Sequence, residues 1–393
     1  MTFKFVRFSV IAFVSLLLAS CATRPQFAAG TACETSVIRV TDQFAGARRG
    51  TCTVLSPKRV RLEIRPENPP PINDSPWYAF RLEPKVATSV HVTLAYVDGH
   101  HRYWPKQSTD GVVWSRLDTA RVEEKKNGRS AKLEVVLNDE PVYIAAQELV
   151  LPSLFDEWSD ELAKRNDVSK TTLGESSRGR PIFVLDANSQ NRDTLLIVGR
   201  QHPPEITGSI AFMAFAETVF GSSELAKRFR EQFRVVGVPL LNPDGVVAGH
   251  WRNGPGGVDL NRDWGPFTQP ETQLIEGLLA DLDDAGARIR VFLDFHSTQR
   301  NVFYTQNDEF VTDPPGFMPA WLANAKARIQ NYDFQNQPGP VGEQANSKNY
   351  MYKRYGIPTA TYEVGDETDR TATRDAAQVF AEELMKLMLL QDY

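Results

Sequence analysis

Leu195-Leu196-Ile197-Val198-Gly199-Arg200-Gln201-His202-Pro203-Pro204-Glu205 leads from a compact apolar run into two residues with metal-ligating side chains. The apolar part suits a strand buried on both faces. Val235-Val236-Gly237-Val238 and Arg290-Val291-Phe292-Leu293-Asp294-Phe295 have the same character. Helical stretches lie between and beyond these runs, over Thr207 to Phe220, Pro270 to Asp284 and Gly316 to Asn331. Pro270 fits a first helical turn, with Glu271 close to the positive end of the dipole. Asp375 to Leu390 closes the chain as an amphipathic helix. This alternation predicts an α/β domain over residues 151–393 with a mostly parallel or mixed sheet.

Working backwards, the pattern changes. Arg59-Val60-Arg61-Leu62-Glu63-Ile64 and Ala131-Lys132-Leu133-Glu134-Val135-Val136 alternate with period two, and Thr88 to Val97 is rich in β-formers. Pro69-Pro70-Pro71 breaks the chain between strands. Residues 51–150 therefore read as a small antiparallel β-sandwich. Residues 21–50, short of large apolar side chains and repeatedly holding Gly and Ala, read as a tether.

Of six histidines in the chain, His202 follows one predicted strand and His296 ends another. Ligand-binding groups of open α/β sheets gather beyond the carboxyl ends of the strands. Two imidazoles and one carboxylate are a common set for catalytic zinc, which keeps a fourth position for water. His202, Glu205 and His296 are the candidate ligands of one zinc ion. His91, His100, His101 and His250 are read as structural or surface residues.

The later motifs make this pattern specific. His202-Pro203-Pro204-Glu205, Asn242-Pro243-Asp244-Gly245-Val246, Trp251-Arg252, Asp259-Leu260-Asn261-Arg262, Asp294-Phe295-His296-Ser297 and Tyr362-Glu363 follow one another in the order found in zinc metallocarboxypeptidases. The chain resembles that family over roughly residues 170 to 393. Pro76-Trp77-Tyr78-Ala79-Phe80, with Trp104 and Trp114, resembles the accessory domain of its cytosolic-carboxypeptidase branch, which includes tubulin deglutamylases. The resemblance implies a zinc carboxypeptidase fold preceded by the β-sandwich.

It also implies roles. Glu363 matches the general base, and Arg252 the arginine that stabilises the developing oxyanion. Asn261 and Arg262 match the pair that grips a terminal carboxylate, and Asp259 a carboxylate orienting the first histidine ligand. Lys348 aligns with a pocket-floor cation of the deglutamylase branch, which would favour acidic C-terminal residues. The family's lid tyrosine has no aligned partner between Gly339 and Lys348, a departure for which Tyr350 and Tyr352 are the candidate substitutes. Asp294 is expected to bond backbone near the metal, and Asn242-Pro243-Asp244-Gly245 to form a turn. The expected substrate is a peptide with a free C-terminal carboxylate. Alternatives are trimming of cell-wall peptides and, from another class, a non-catalytic carboxylate-binding protein. The latter would need Asn261 and Arg262 but would have no use for Glu363.

The N-terminus bears on location. Lys4 and Arg7 precede an apolar run from Phe8 to Leu18, interrupted only by serines. At 1.5 Å per residue that run spans about 16 Å, well short of a hydrocarbon core of roughly 30 Å. Residues 1–20 read as a signal peptide. Leu18-Ala19-Ser20-Cys21 resembles the bacterial lipoprotein box, which implies lipidation at Cys21 and an outer-membrane lipoprotein facing the periplasm. Cys33 and Cys52 then either pair, closing about 20 residues for about 3 kcal/mol, or stay as two buried thiols. All three cysteines lie far from the chemistry in sequence, which sets aside a cysteine nucleophile. A formal charge of -5 without a basic run gives no footprint for nucleic acid.

Overall fold

Alternating apolar residues do in three dimensions what their period requires. In the strand Arg59–Ile64, Val60, Leu62 and Ile64 are buried while the residues between them are not. A computed structural model of the chain describes residues 33–391 apart from 166, 167 and 189. The expected signal peptide and Cys21 lie outside the described residues.

The N-terminal part is two packed sheets. One runs Cys33–Glu34, Ile38–Thr41, Ala79–Pro84, Val142–Ala145, Lys106–Ser108, Ser115–Arg116, with every pair antiparallel. The other runs Thr51–Ser56, Arg59–Ile64, Thr88–Tyr96, Ser130–Leu137, Val122–Lys125. Its Arg59–Ile64 and Thr88–Tyr96 strands are parallel, a departure from the wholly antiparallel expectation. The tether expected over 21–50 is corrected for its described part. Ile38 and Val40 are buried, and both strands within 33–41 join the first sheet. Short strands anchored by alternate apolar residues need few large side chains, which is why composition misread this stretch. Cys33 and Cys52 form a disulfide, their Cα atoms 5.7 Å apart.

The C-terminal part centres on an eight-stranded mixed sheet. Across it the order is Val168–Glu175, Pro181–Ala187, Arg234–Val238, Asp193–Gly199, Arg288–Thr298, Thr359–Gly365, Val302–Gln306, Gln335–Gly339. The central strands Arg234–Val238, Asp193–Gly199, Arg288–Thr298 and Thr359–Gly365 are mutually parallel. Helices Ile206–Val219 and Arg370–Leu389 pack together and, with Phe317–Arg328, share one apolar core with the sheet. Pro270–Asp284 joins a separate core that includes Leu196, Val198, Val236 and Phe292.

A further apolar cluster crosses between the two parts. It joins Trp77, Tyr78 and Val150 of the sandwich side to Ile206, Ile210, Met213 and Trp251 of the α/β side. The described residues accordingly group as one unit within Ala32–Tyr393.

Candidate active site

Asp193–Gly199 and Arg288–Thr298 are parallel neighbours, so their carboxyl ends lie side by side, and the loop after the first carries His202 and Glu205. Arg200 turns the chain there in a left-handed conformation (φ 51°). Its buried guanidinium donates to the Pro203 carbonyl from Nε (2.9 Å) and Nη2 (2.7 Å), and to Ser209 Oγ (2.9 Å). Those bonds clasp the loop between the two ligands. Glu205 sits at the head of helix Ile206–Val219 without using its side chain as a cap, leaving the carboxylate free to face the site.

His296 enters from the end of Arg288–Thr298. In register with it on the neighbouring parallel strand is Glu363, so both side chains leave the same face of the sheet. Ligand atoms of His202, Glu205 and His296 all lie within 4.8 Å of one another. His202 Nδ1 is 2.8 Å from Glu205 Oε1, His296 Nδ1 is 2.7 Å from Oε2, and the two Nδ1 atoms are 3.1 Å apart. Two imidazole nitrogens facing each other and one carboxylate cannot both carry protons comfortably. One divalent cation satisfies all three donors, so the set fits zinc. Burial works against the charge on Glu205, yet the two imidazoles hold its carboxyl well below the usual range.

The far side of each ring is held by a carboxylate. His202 Nε2 lies 2.8 Å from Asp259 Oδ1. Asp259 Oδ2 accepts from Arg252 Nε at 2.6 Å. His296 Nε2 lies 2.7 Å from Asp294 Oδ2, which also accepts from Gln201 Nε2 at 2.7 Å. Asp294 was expected to bond backbone, and the structure corrects this: its partners are side chains, and it holds the second histidine as Asp259 holds the first. A strand residue two before His296 points to the same face, and that period was the available signal.

Arg252, Asn261, Arg262, Lys348 and Glu363 line one cleft of about 530 Å³ together with His202 and Glu205. His296 lies behind them, buried. Burial, reinforced by the Glu205 carboxylate, pushes Glu363 up to about 7. Its Oε2 is enclosed and has no hydrogen-bond partner among the described residues. Asn261 Oδ1 accepts from the Ser347 amide at 2.9 Å, and its Nδ2 is 3.2 Å from His296 Nε2. Arg262 donates from Nη1 to the Asn261 carbonyl (2.6 Å). With the Gln344 amide oxygen turned toward it, Nε (2.8 Å) and Nη2 (3.0 Å) are engaged as well. Lys348 stands in the first turn of helix Ser347–Tyr355, buried, and burial lowers its pKa.

Neither Tyr350 nor Tyr352 lines the cleft. Tyr350 packs on Trp264 and Phe267, and the Tyr352 hydroxyl donates to the Val311 carbonyl. Both belong to a helix whose first turn, not its later ones, faces the site. Tyr304 lines the cleft instead. Asn242-Pro243-Asp244-Gly245 is no simple turn, since Asn242 caps a short helix Pro243–Ala248 by accepting from the Gly245 amide at 2.9 Å. Of the four histidines set aside, His100 pairs with Asp74, His101 with the Tyr96 hydroxyl and His250 with the Asn253 carbonyl.

A mixed sheet that presents two histidines, a glutamate and a ring of polar groups at its carboxyl edge defines a metallocarboxypeptidase fold with a zinc-type site. The chain belongs to the zinc carboxypeptidase family, whose profile matches residues 155–385. Residues 40–146 match the cytosolic carboxypeptidase N-terminal domain. Human cytosolic carboxypeptidase 4 is 37% identical in an alignment 161 residues long that covers 36% of this chain and 14% of that protein. The chain thus aligns with only a small part of that curated relative. A metallo-carboxypeptidase from Burkholderia cenocepacia superposes with a TM-score of 0.72 at 20% identity, covering 89% of this chain and 98% of that one. The metallo-carboxypeptidase from Pseudomonas aeruginosa, solved with (2-guanidinoethylmercapto)succinic acid, gives the same four figures. At such identity these two likenesses establish the fold.

Proposed function

We propose that this protein is a zinc-dependent carboxypeptidase that removes single residues from peptide C-termini, with a preference for Glu and Asp. The observation that carries the reading is the convergence of Glu363, Arg252, Asn261 and Arg262 with the metal set on one cleft.

The residues divide the work. His202, Glu205 and His296 would hold zinc, which supplies Lewis acidity and lowers the pKa of water to about 7. Arg262 offers a planar fork for a terminal carboxylate, which would replace the Gln344 amide now facing it, and Asn261 stands beside it. An internal peptide bond brings no carboxylate to that spot, so the grip selects chain ends. Arg252, fixed through Nε to Asp259, turns its remaining donors toward the carbonyl oxygen as charge develops there. Glu363 takes a proton from the attacking water and passes it to the leaving amine. A carboxyl poised near neutrality can do both. Lys348 supplies the cation for an acidic side chain on the departing residue.

Hydrolysis of blocked dipeptides ending in Glu, Asp, Lys, Phe and Ala tests this, with and without a chelator. Release of Glu and Asp ahead of the others is expected, abolished by chelation and by Glu363→Gln. Cleavage of muropeptides in place of linear peptides would move the substrate to the cell wall. Tight carboxylate binding with no cleavage of any substrate would leave a binding protein and sink the enzyme reading.

A further inference from the structure

The sandwich does more than lean on the α/β part. Glu67, three residues past the strand Arg59–Ile64, inserts its carboxylate beneath the segment that carries Arg252. Oε2 accepts from the Trp251 amide at 2.7 Å, and Oε1 from the amides of Arg252 (3.0 Å) and Asn253 (2.6 Å). Three successive amides converging on one carboxylate make an anion nest, in which the charge fixes the backbone path. Asn68 extends the grip, its Oδ1 accepting from Asn253 Nδ2 at 2.9 Å. Trp251 is fully buried, and Gly99 of the sandwich lies so close that a Cβ there would come within 2.9 Å of the indole ring.

From this backbone a relay of contacts runs into the site. Arg252 Nε meets Asp259 Oδ2 (2.6 Å), and Asp259 Oδ1 meets His202 Nε2 (2.8 Å). Other polar ties between the two parts reach different places. Arg102 lines the cleft and pairs with Asp366 at 2.8 Å, Lys106 pairs with Glu367 at 2.9 Å and Arg370 with Glu148 at 2.8 Å, and none of these bonds ends on Arg252, Asp259 or the backbone from Trp251 to Asn253.

We propose that Glu67 is a positioning residue for the reaction: the sandwich, through this one carboxylate, sets where the Arg252 guanidinium stands over the scissile carbonyl. The inference rests on the carboxypeptidase reading for its effect on rate and on the geometry alone for its effect on Arg252. A displacement of about 1 Å at a group that meets the transition state costs on the order of a hundredfold.

Glu67→Gln keeps the shape but offers the three amides one acceptor oxygen and a clashing NH2. Steady-state kinetics on the best peptide substrate should show kcat down about ten- to hundredfold, with KM within about twofold and zinc content unchanged. Glu67→Asp should recover part of the loss. Lys106→Met, which breaks a tie of the same interface, should lower the melting temperature and leave kcat alone. In parallel, the Nε–H signal of Arg252 in arginine-labelled protein reports its anchoring without any turnover, and its exchange with solvent should speed up at least about tenfold in Glu67→Gln. An unchanged kcat with a lower melting temperature would reduce Glu67 to glue between the parts and overturn the proposal. So would loss of zinc in step with kcat. If the wild type cleaves no peptide, the functional reading fails, and Arg252 exchange decides on its own: faster exchange upholds the positioning role, unchanged exchange refutes it.

Discussion

Lys348 is buried in the first turn of a helix, where the dipole already disfavours a cation, and no carboxylate pairs with it among the described residues. A cation kept in such a place without a partner stabilises the free protein little, and an anion arriving beside it gains both the charge and the helix end. Burial lowers its pKa, so the charge is lost as pH rises through a value below the roughly 10.4 of free lysine. For a Glu-terminated peptide, kcat/KM should therefore fall along an alkaline limb that an Ala-terminated peptide lacks. Lys348→Met should remove that limb and cut kcat/KM for Glu-ended peptides about ten- to hundredfold, the worth of a charged hydrogen bond. An equal loss on every C-terminus would refute the pocket. Ordered motifs marked His202, Glu205, His296, Asp259 and Glu363, which the structure brings to one place, whereas Lys348 was reached only by counting back from Gly356-Ile357. Glu67 was not legible, because its partners Trp251 to Asn253 lie 184 to 186 residues away and nothing in Glu67-Asn68-Pro69 marks a carboxylate destined for another domain's backbone.

Between elements, a tight constraint falls on Gly208, in the first turn of helix Ile206–Val219. A Cβ there would stand 2.4 Å from the His296 carbonyl oxygen and 2.6 Å from its carbon. The Gly208 amide donates to Ser297 Oγ at 2.8 Å, so helix and strand meet at backbone distance just where each delivers a metal ligand. Gly208→Ala must force them apart. Overpacking of this kind costs about 1–3 kcal/mol, and the separation of Glu205 from His296 should weaken zinc binding as well. Thermal melts and chelator competition on the variant check both, and unchanged zinc affinity would mean that the contact yields without moving the ligands. Elements with strong periodicity were readable: Pro270–Asp284 lies where its proline, acid and apolar spacing put it. Edge strands were not. Gln335-Asn336-Gln337-Pro338-Gly339 is exposed along almost its whole length, so it carries no apolar signal, and only pairing with Val302–Gln306 makes it a strand.

Across the whole molecule, the sandwich and the α/β part share one apolar cluster, so neither has a finished surface without the other. Removing the sandwich would lay Ile206, Ile210, Met213 and Trp251 open to water, and the first of these abuts the Glu205 ligand. A cluster that spans the junction couples the unfolding of its two sides, and calorimetry should record one transition for the intact chain. Arg370 and Glu148 add a tie whose pH dependence has a definite sign. Burial raises the Glu148 pKa, but Arg370 outweighs it and holds the carboxyl below its usual value. A depressed folded-state pKa stabilises above the unfolded value of about 4.3 and loses that contribution as pH falls toward the folded one. Arg370→Gln should thus lower the melting temperature more at pH 7 than at pH 3.5, while the transition stays single. Two resolved transitions in the wild type, one of them assignable to the sandwich by its disulfide, would show that the shared cluster does not couple the parts. Glu67 would then sit in a joint that opens independently, and its hold on Arg252 would be intermittent at working temperature.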